Sequence, residues 1–439
     1  MKKETKLATK TVETKAIELQ KITKFLQKHI KADDYNLYVA YDNTQHTRFA
    51  QNSITQHIQG EHITVFYSCS IKKKTGTAST RQIDEENLLK TVQLAEENAM
   101  NNIPDPDAPT SLPNSKYPEI IGYYPAIKEL DTANMINIIK KCITNAENKG
   151  AILSGILSKN VSELLFSTGK GFQGYHQSSE AEISMTMRKD HVETKVGYSH
   201  KDFNKLNEDK WIIQLNEQFD GLQKMKAMDF EPIAVILRPQ AVRELFMYLR
   251  WYFNRKMADE GLTPFTGQLN KKFLGSKFSL KSVLNDPDLS NSPFSPNGIR
   301  TDITWVEKGK LLNLPTSREW AQKHKLEPTD MYNVVMDGEG TSEKEMMKMV
   351  KRGIIVNNLW YIRMNDMKTF DLTGMTRDGV MYFENGKILH AVNNFRFNEP
   401  LHELTHRILT TGVSTQIDIN HKVPTMLIDK FNLVDKTTF

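Results

Sequence analysis

This 439-residue chain has no apolar run approaching the roughly 20 residues of a membrane-spanning helix. Lys2 and Lys3 lack the apolar core that would follow them in a secretory signal. Cysteine is scarce: Cys69 and Cys142 are the only two, they lie in unrelated segments without ligand-like spacing, and none follows Cys142. That argues against a disulfide framework or a cysteine-rich metal centre, and the expectation is a reduced, cytoplasmic protein with no membrane association. A dominant charge is lacking too. The formal net charge is +5, but residues 1–31 hold nine lysines against three glutamates, so the remainder is close to neutral. A lysine-rich leader could meet nucleic acid or anionic lipid. No aromatic interleaving or nucleic-acid fold motif accompanies it, so a solvated tail running into a helix is expected and nucleic acid is not an expected partner.

What is present is a globular composition, long enough for two or three domains. Ala16–His29 carries Ile17, Leu19, Ile22, Phe25 and Leu26 as a helical stripe. Strand-like runs follow at Tyr35–Asn43, His46–Gly60 and Glu61–Lys74, the last alternating through Ile63, Val65, Tyr67 and Cys69, with a short addition at Gly76–Thr80. Asp84 is placed to cap a helix to about Asn101 that turns Leu88, Val92, Leu94 and Ala95 inward. Between Asn101 and Pro125 six prolines erase periodicity, which fits either a flexible linker or a stiffened strap pinned by aromatics. A helix from Asp131 to Lys149, three alternating stretches between Ile152 and His200, and a helix over Trp211–Met228 follow. Residues 1–230 are therefore expected to form an α+β domain with an antiparallel sheet, and residues 231–439 a β-rich domain. In the second domain Ile303–Asn313 and Asp378–Phe397 read as hairpins, the latter turning at Asn385-Gly386, and Ser342–Arg352 as a short helix.

The stretch Pro232–Asn270 opens that domain. Pro232–Leu237 is a short apolar strand, and Pro239 can start a helix because a first-turn proline loses no hydrogen bond that the helix needs. Val242, Leu245, Phe246, Leu249, Phe253 and Met257 predict one long amphipathic helix, with Arg243, Glu244, Arg250, Asn254 and Arg255 on its wet side and Gly261 as its stop. No acid, base or metal ligand lies along the apolar face.

Further stretches carry a family resemblance in chain order: RFAQNSITQHIQGEHITV (Arg48–Val65) with GTAST, PDPD (Pro104–Asp107), GEGTSEKEMMKMVKRGIIV (Gly338–Val356), and LTGMTRDGVMYFENGKI (Leu372–Ile388) with NNFRFNEP (Asn393–Pro400). Together they resemble the TldD/PmbA family of metallopeptidase-related proteins, and the last resembles its non-catalytic and TldD-related branch. The resemblance implies an N-terminal α+β domain and a C-terminal β-rich domain, assembled as a homodimer or as a heterodimer with a catalytic TldD-like subunit that degrades or trims peptides. In the catalytic branch the strand–helix corresponding to Pro232–Asn270 carries His-Glu, three residues, then His, with a glycine inside, and a late cysteine completes the metal site. Setting FTGQL (Phe265–Leu269) against the family's similar segment puts Phe246, Met247 and Trp251 on those positions. None binds zinc as the motif requires. Residues five apart on a regular helix are also turned about 140° from each other, and no glycine between Arg238 and Glu260 softens the backbone. The late cysteine is missing too. The implied protein is a degenerate member with no catalytic residue, metal or cofactor of its own, acting through a peptide-binding or complex-forming surface. The family's association with DNA gyrase gives a nucleic-acid-associated modulator as a third reading.

A competing reading comes from His402-Glu403-Leu404-Thr405-His406. It spells the zinc-protease pattern, in which two histidines one turn apart hold the metal and the glutamate activates water. On this alternative the protein is an active zinc peptidase. No glutamate or cysteine follows Glu403 as third ligand, Leu409 and Gly412 fill the places of the extended motif, and Pro400 puts His402 in a first helical turn. The plainer expectation is a short packing helix on Leu401, Leu404 and Ile408, with His421 or Asp418 as the remaining candidates to complete a site. Asp286 and Asp288 are spaced like calcium ligands without the later glutamate and read as a polar surface loop.

Overall fold

The structure is a computed structural model that describes residues 2–190 and 192–437, with side chains from Lys15 onward. The leader lysines before that point therefore lie outside the described side chains. The fold is α+β, with one antiparallel sheet and helices in the N-terminal half and a larger mixed sheet in the C-terminal half.

The N-terminal half comprises α1 (Lys2–Gln27), β1 (Asp34–Ala50), β2 (Ser53–Ile71), β3 (Lys74–Thr80), α2 (Glu85–Asn101), α3 (Thr132–Asn148), β4 (Ile152–Thr168), β5 (Gln173–Lys189), β6 (Val192–His200) and α4 (Glu208–Gly221). The six strands form a fully antiparallel sheet in the order β3-β2-β1-β4-β5-β6. Period-two alternation decides its faces. Leu37, Val39, Tyr41, Leu157, Leu165, Ile183 and Met185 look toward the helices. The opposite face is left to polar side chains and a patch around Tyr38 and Phe166. Asp84 and Asp131 cap α2 and α3 through the backbone N–H groups of Asn87 and Asn134.

Three expectations are corrected here. β1 and β2 run unbroken through Asn43–His46 and Gly60–Glu61, and the hairpin turns instead at Gln51–Asn52, both at positive φ. Leu94 is 49 % exposed rather than inward, because the buried stripe of α2 runs through Leu88, Val92, Ala95 and Ala99. The helix expected over Trp211–Met228 begins at Glu208, capped by Asn207, and stops at Gly221; Met225–Lys226 then pairs as a strand.

The proline-rich segment is a strap. Ser111 donates to Asp34 from both its backbone N–H and its Oγ, Leu112 is buried, and Tyr117 packs on Phe172 and Phe294. Arg318 holds it from the other half by donating to the carbonyls of Thr110 and Ser111.

The C-terminal half continues through β7 (Met225–Lys226), β8 (Ile233–Leu237), α5 (Pro239–Phe246), α6 (Leu249–Tyr252), α7 (Arg255–Asp259), β9 (Leu280–Ser282), β10 (Phe294–Ser295), β11 (Gly298–Ile299), β12 (Ile303–Glu307), β13 (Lys310–Leu311), α8 (Arg318–His324), β14 (Val334–Met336), α9 (Glu343–Met349), β15 (Arg352–Asp366), β16 (Asp371–Glu384), β17 (Lys387–Val392), β18 (Phe395–Pro400), α10 (Leu401–Leu404), β19 (Ile408–Asp418), β20 (His421–Phe431) and β21 (Leu433–Lys436). Its large sheet has the wholly buried β8 at the centre, parallel to β15 and antiparallel to β20. Asn385-Gly386 makes the β16–β17 turn with both residues at positive φ, as a type I′ hairpin needs. Ser342 and Glu345 form a capping box on α9. Gly338 opens the same segment because a Cβ there would meet the Gly412 carbonyl at 2.0 Å. Among the described residues, no helix is long and apolar enough to cross a membrane.

Candidate functional site

β8 delivers the chain to α5 at Arg238, and the long helix expected from there is three short ones. α5 ends at Phe246, α6 spans Leu249–Tyr252, and Asn254 starts α7 by accepting the Met257 N–H. The second break is made by the Asn254 side-chain cap rather than by a glycine, and the first, at Met247–Tyr248, has no side-chain cap. The apolar face is buried as the pattern required, through Val242, Leu245, Phe246, Leu249 and Phe253.

The first of these breaks, at Met247–Tyr248, falls among the three expected motif positions. Phe246 is 2 % exposed and stacks on Phe278 at 5.2 Å. Met247 is half-buried. Trp251 is 60 % exposed, edge-on to Tyr248 at 5.1 Å. One points into the core and another into solvent, and none carries a zinc donor, so these residues do not fit the metal that the catalytic branch holds. Both cysteines are buried in the N-terminal half, where burial pushes their thiols up, Cys69 to about 11 and Cys142 to about 12.

The H-E-x-x-H stretch is a four-residue helix, α10, followed by a single 3-10 turn. Leu401, Leu404 and Ile408 are buried beneath it. His402 stacks on Phe273 with centroids 5.3 Å apart, His406 Nε2 lies 3.0 Å from the Phe273 carbonyl, and Glu403 is exposed. Asp418 and His421 are engaged elsewhere: His421 Nδ1 lies 2.8 Å from Asp418, which also accepts from Arg243 Nε at 3.0 Å. Among the described residues no group of three or more His, Cys, Asp or Glu could hold a metal ion.

The Asp286–Asp288 loop is not the surface loop expected. Asp286 is 9 % exposed, and Lys422 bridges both carboxylates at 3.2 and 2.9 Å. The buried Lys201 donates to the carbonyls of Asp286 and Leu289 at 3.0 and 2.6 Å. Two ammonium groups neutralise the oxygens that a cation would otherwise take.

The wet side of α5 is where the structure gathers polar groups. Gln240, Arg243 and Glu244 line a cleft of about 420 Å³ between the two halves. Its N-terminal wall is β6 over Lys195–Ser199, with Glu182 and Ser184 behind it. Its C-terminal wall is β19 over Thr415–Asp418, with Asn357 and Asn358 of β15 also lining it. Among the described residues β6 ladders only with β5, and β19 only with β20; the Gly340 and Thr341 N–H groups bond the outer edge of β19 at Gly412 and Thr411, and its Thr415–Asp418 part is the open edge that borders the cleft opposite β6. The edges meet where Gln416 donates to the Ser199 carbonyl at 2.7 Å. Ser184 and Lys195 also line a groove of about 580 Å³ on the open sheet face, so the cleft runs on across the N-terminal sheet.

Electrostatics in the cleft are paired off. Arg238 forks onto Glu343 and donates to Asn357 at 2.8 Å. Burial would raise the Asp418 carboxyl, but hydrogen bonding and charge from His421, with Arg243 beside it, hold it below its ordinary value. Glu244 is the exception. Burial pushes it up to about 7, against the pull of hydrogen bonds from Gln240 and the Leu359 N–H. Glu180, beside Glu182 and Asp418, is likewise raised by burial to about 7.

Residues 231–435 match the model of the PmbA/TldA metallopeptidase C-terminal domain. This C-terminal half belongs to the TldD/PmbA family. The whole fold of the chain is shared with solved relatives at low identity. TldE from Thermococcus kodakarensis superposes with a TM-score of 0.85 at 16 % identity, covering 94 % of this chain and 99 % of that one. A proposed modulator of a DNA gyrase from Thermotoga maritima gives 0.83 at 16 %, covering 91 % and 96 %. A further proposed DNA gyrase modulator, from Bacteroides thetaiotaomicron, gives 0.81 at 15 %, covering 95 % and 98 %. No curated protein matches the chain.

Within this family fold, sequence reasoning placed Glu244 on a wet helix face without marking it as a site residue, and it missed Asn358 altogether. Glu244 gains its character from β15 folding over it, and Asn358 from a register shift between Val356 and Asn358. Neither leaves a local pattern in the sequence.

Proposed function

We propose that this chain is a degenerate, non-catalytic TldD/PmbA-family protein that binds extended peptide in the cleft between its two halves and works in peptide maturation or proteolysis beside a catalytic subunit. The observation that carries the reading is the pair of open strand edges, β6 and the Thr415–Asp418 part of β19, bordering a polar cleft beside a helix that offers no metal donor. An extended chain adds to such edges through its main-chain groups. The subunit role follows from the family resemblance of the sequence, and dimerisation with a TldD-like partner or with a second copy is part of the same proposal.

The test is fluorescence anisotropy with a labelled unstructured peptide, run beside a peptidase assay and elemental analysis of the dialysed protein. Peptide should bind, uncleaved and without stoichiometric zinc, and cleavage should appear only when a TldD-like subunit is added. About one zinc per chain, lost on His402→Ala, would sink the proposal in favour of the His402-Glu403-His406 peptidase.

A further inference from the structure

The cleft contains a polar group that the rest of the chain leaves unused. Asn358 is 6 % exposed and lines the cleft, yet among the described residues its Nδ2 has no hydrogen-bond partner. Native structures keep few buried donors unpaired, and each calls for an explanation. Its neighbours are all committed. The Arg238 N–H donates to the Val356 carbonyl at 3.0 Å, and Asn357 accepts from Arg238 and donates to the Asp378 carbonyl. The Leu359 N–H is turned onto Glu244 instead of onto β16. The register shift between Val356 and Asn358 that makes these bonds possible leaves the Asn358 amide without a partner beside the cleft.

We infer that Asn358 is the ligand-reading residue of the cleft, donating its amide N–H to a main-chain carbonyl of an extended, uncharged peptide segment. This rests on the peptide-binding reading above and specifies what that site recognises. The charges around it favour a neutral guest. Arg238 is satisfied by Glu343, and Arg243 by Asp418, which His421 also holds. Glu244 accepts from Gln240 and Leu359. On the facing wall the exposed Lys195 and Glu182 are of opposite sign. A ligand carboxylate or ammonium would find only these exposed, solvated side chains as counter-charge, and burying a charge without a close partner is costly. A main-chain carbonyl meets the free donor at no such cost, and the two strand edges accept the rest of an extended segment.

The experiment measures binding of an acetylated, amidated peptide of Ser, Ala, Thr and Gly to full-length wild type, Asn358→Leu and Asn358→Asp, with a second peptide that keeps its free C-terminal carboxylate. Both variants should weaken binding of the blocked peptide by about tenfold, the usual worth of one buried hydrogen bond. Asn358→Leu should also unfold at or above the wild-type temperature, since it removes an unpaired polar group; a purely structural role predicts the reverse. Unchanged binding in both variants overturns the inference, as does wild type binding only the peptide with the free carboxylate. Wild type binding neither peptide overturns the peptide-binding reading itself, and this inference with it.

Discussion

Phe246 and Trp251, five residues apart, show how differently one segment can place two chemically similar side chains. Phe246 lies against Phe278 with 2 % of its surface exposed, so Phe246→Ala should cost roughly 3–5 kcal/mol in denaturant unfolding. Trp251→Ala, at 60 % exposure, should stay within about 0.5 kcal/mol. Equal effects would mean that the two share one buried site. Glu244 carries a pH dependence whose sign follows from its raised carboxyl, near 7 in the folded chain against 4.5 in an open one. Between those values the unfolded chain gives up its proton while the folded chain keeps it, so stability falls as pH rises through that window and levels off above it. Glu244→Gln should remove that loss, on the order of 2 kcal/mol between pH 5 and 8. Thermal unfolding across that range, with parallel curves for wild type and variant, would contradict the assignment.

At the scale of elements, much of the architecture was legible because two periods carry it. Alternation in Ile63–Cys69 and spacing in Leu88–Ala99 and Met135–Ala146 specify which face is buried, and the caps Asp84, Asp131 and Ser342 specify where helices begin. Turns without glycine were misplaced: Gln51–Asn52 reads as strand until the pairing of β1 with β2 demands a reversal there. The long helix was over-read for a similar reason. Its apolar stripe continues through Phe253, across a first break at Met247–Tyr248 that leaves no mark in the pattern and a second at the Asn254 cap, which looks like an ordinary wet-face residue. The absence of ligands from the family motif was visible in the sequence, whereas the cleft was not, because its walls come from β6, β15 and β19, far apart in the chain. The broken helix also decides whether the motif can be rebuilt. Phe246→His, Met247→Glu and Trp251→His combined should bind no zinc and cleave no peptide, since position 246 faces the core and position 251 faces solvent. Metal titration giving stoichiometric binding would show that the segment rearranges to bring positions 246 and 251 to one side.

For the molecule as a whole, the issue is whether its halves behave as one body around the cleft. Interdomain contacts ordinarily permit motion unless they are large and apolar. Here the polar links are uneven. Lys323–Asp107 is exposed and contributes little, while Lys201 is buried and satisfied by two carbonyls across the boundary. Ala391 joins the N-terminal core beside Leu222, and a second apolar link is Phe294 of the C-terminal half, 2 % exposed, with its ring 5.3 Å from Phe172, 5.0 Å from Tyr117 and 6.2 Å from Phe166. Gly174 makes room for it, since a Cβ there would lie 2.6 Å from the ring. This plug fastens the open face of the N-terminal sheet to the second half, and Gln416 on Ser199 fastens them again beside the cleft. Fastened at both places, the cleft is preformed rather than assembled by closure, which lowers the ordering cost of binding an extended peptide. Calorimetry should therefore show one unfolding transition for the wild type. Phe294→Ala should split it into two, the N-terminal sheet and the C-terminal sheet melting separately, and should weaken peptide binding although Phe294 does not line the cleft. A single transition at the wild-type temperature in Phe294→Ala would show that the halves are coupled without this plug, through the polar links and the Ala391 contact.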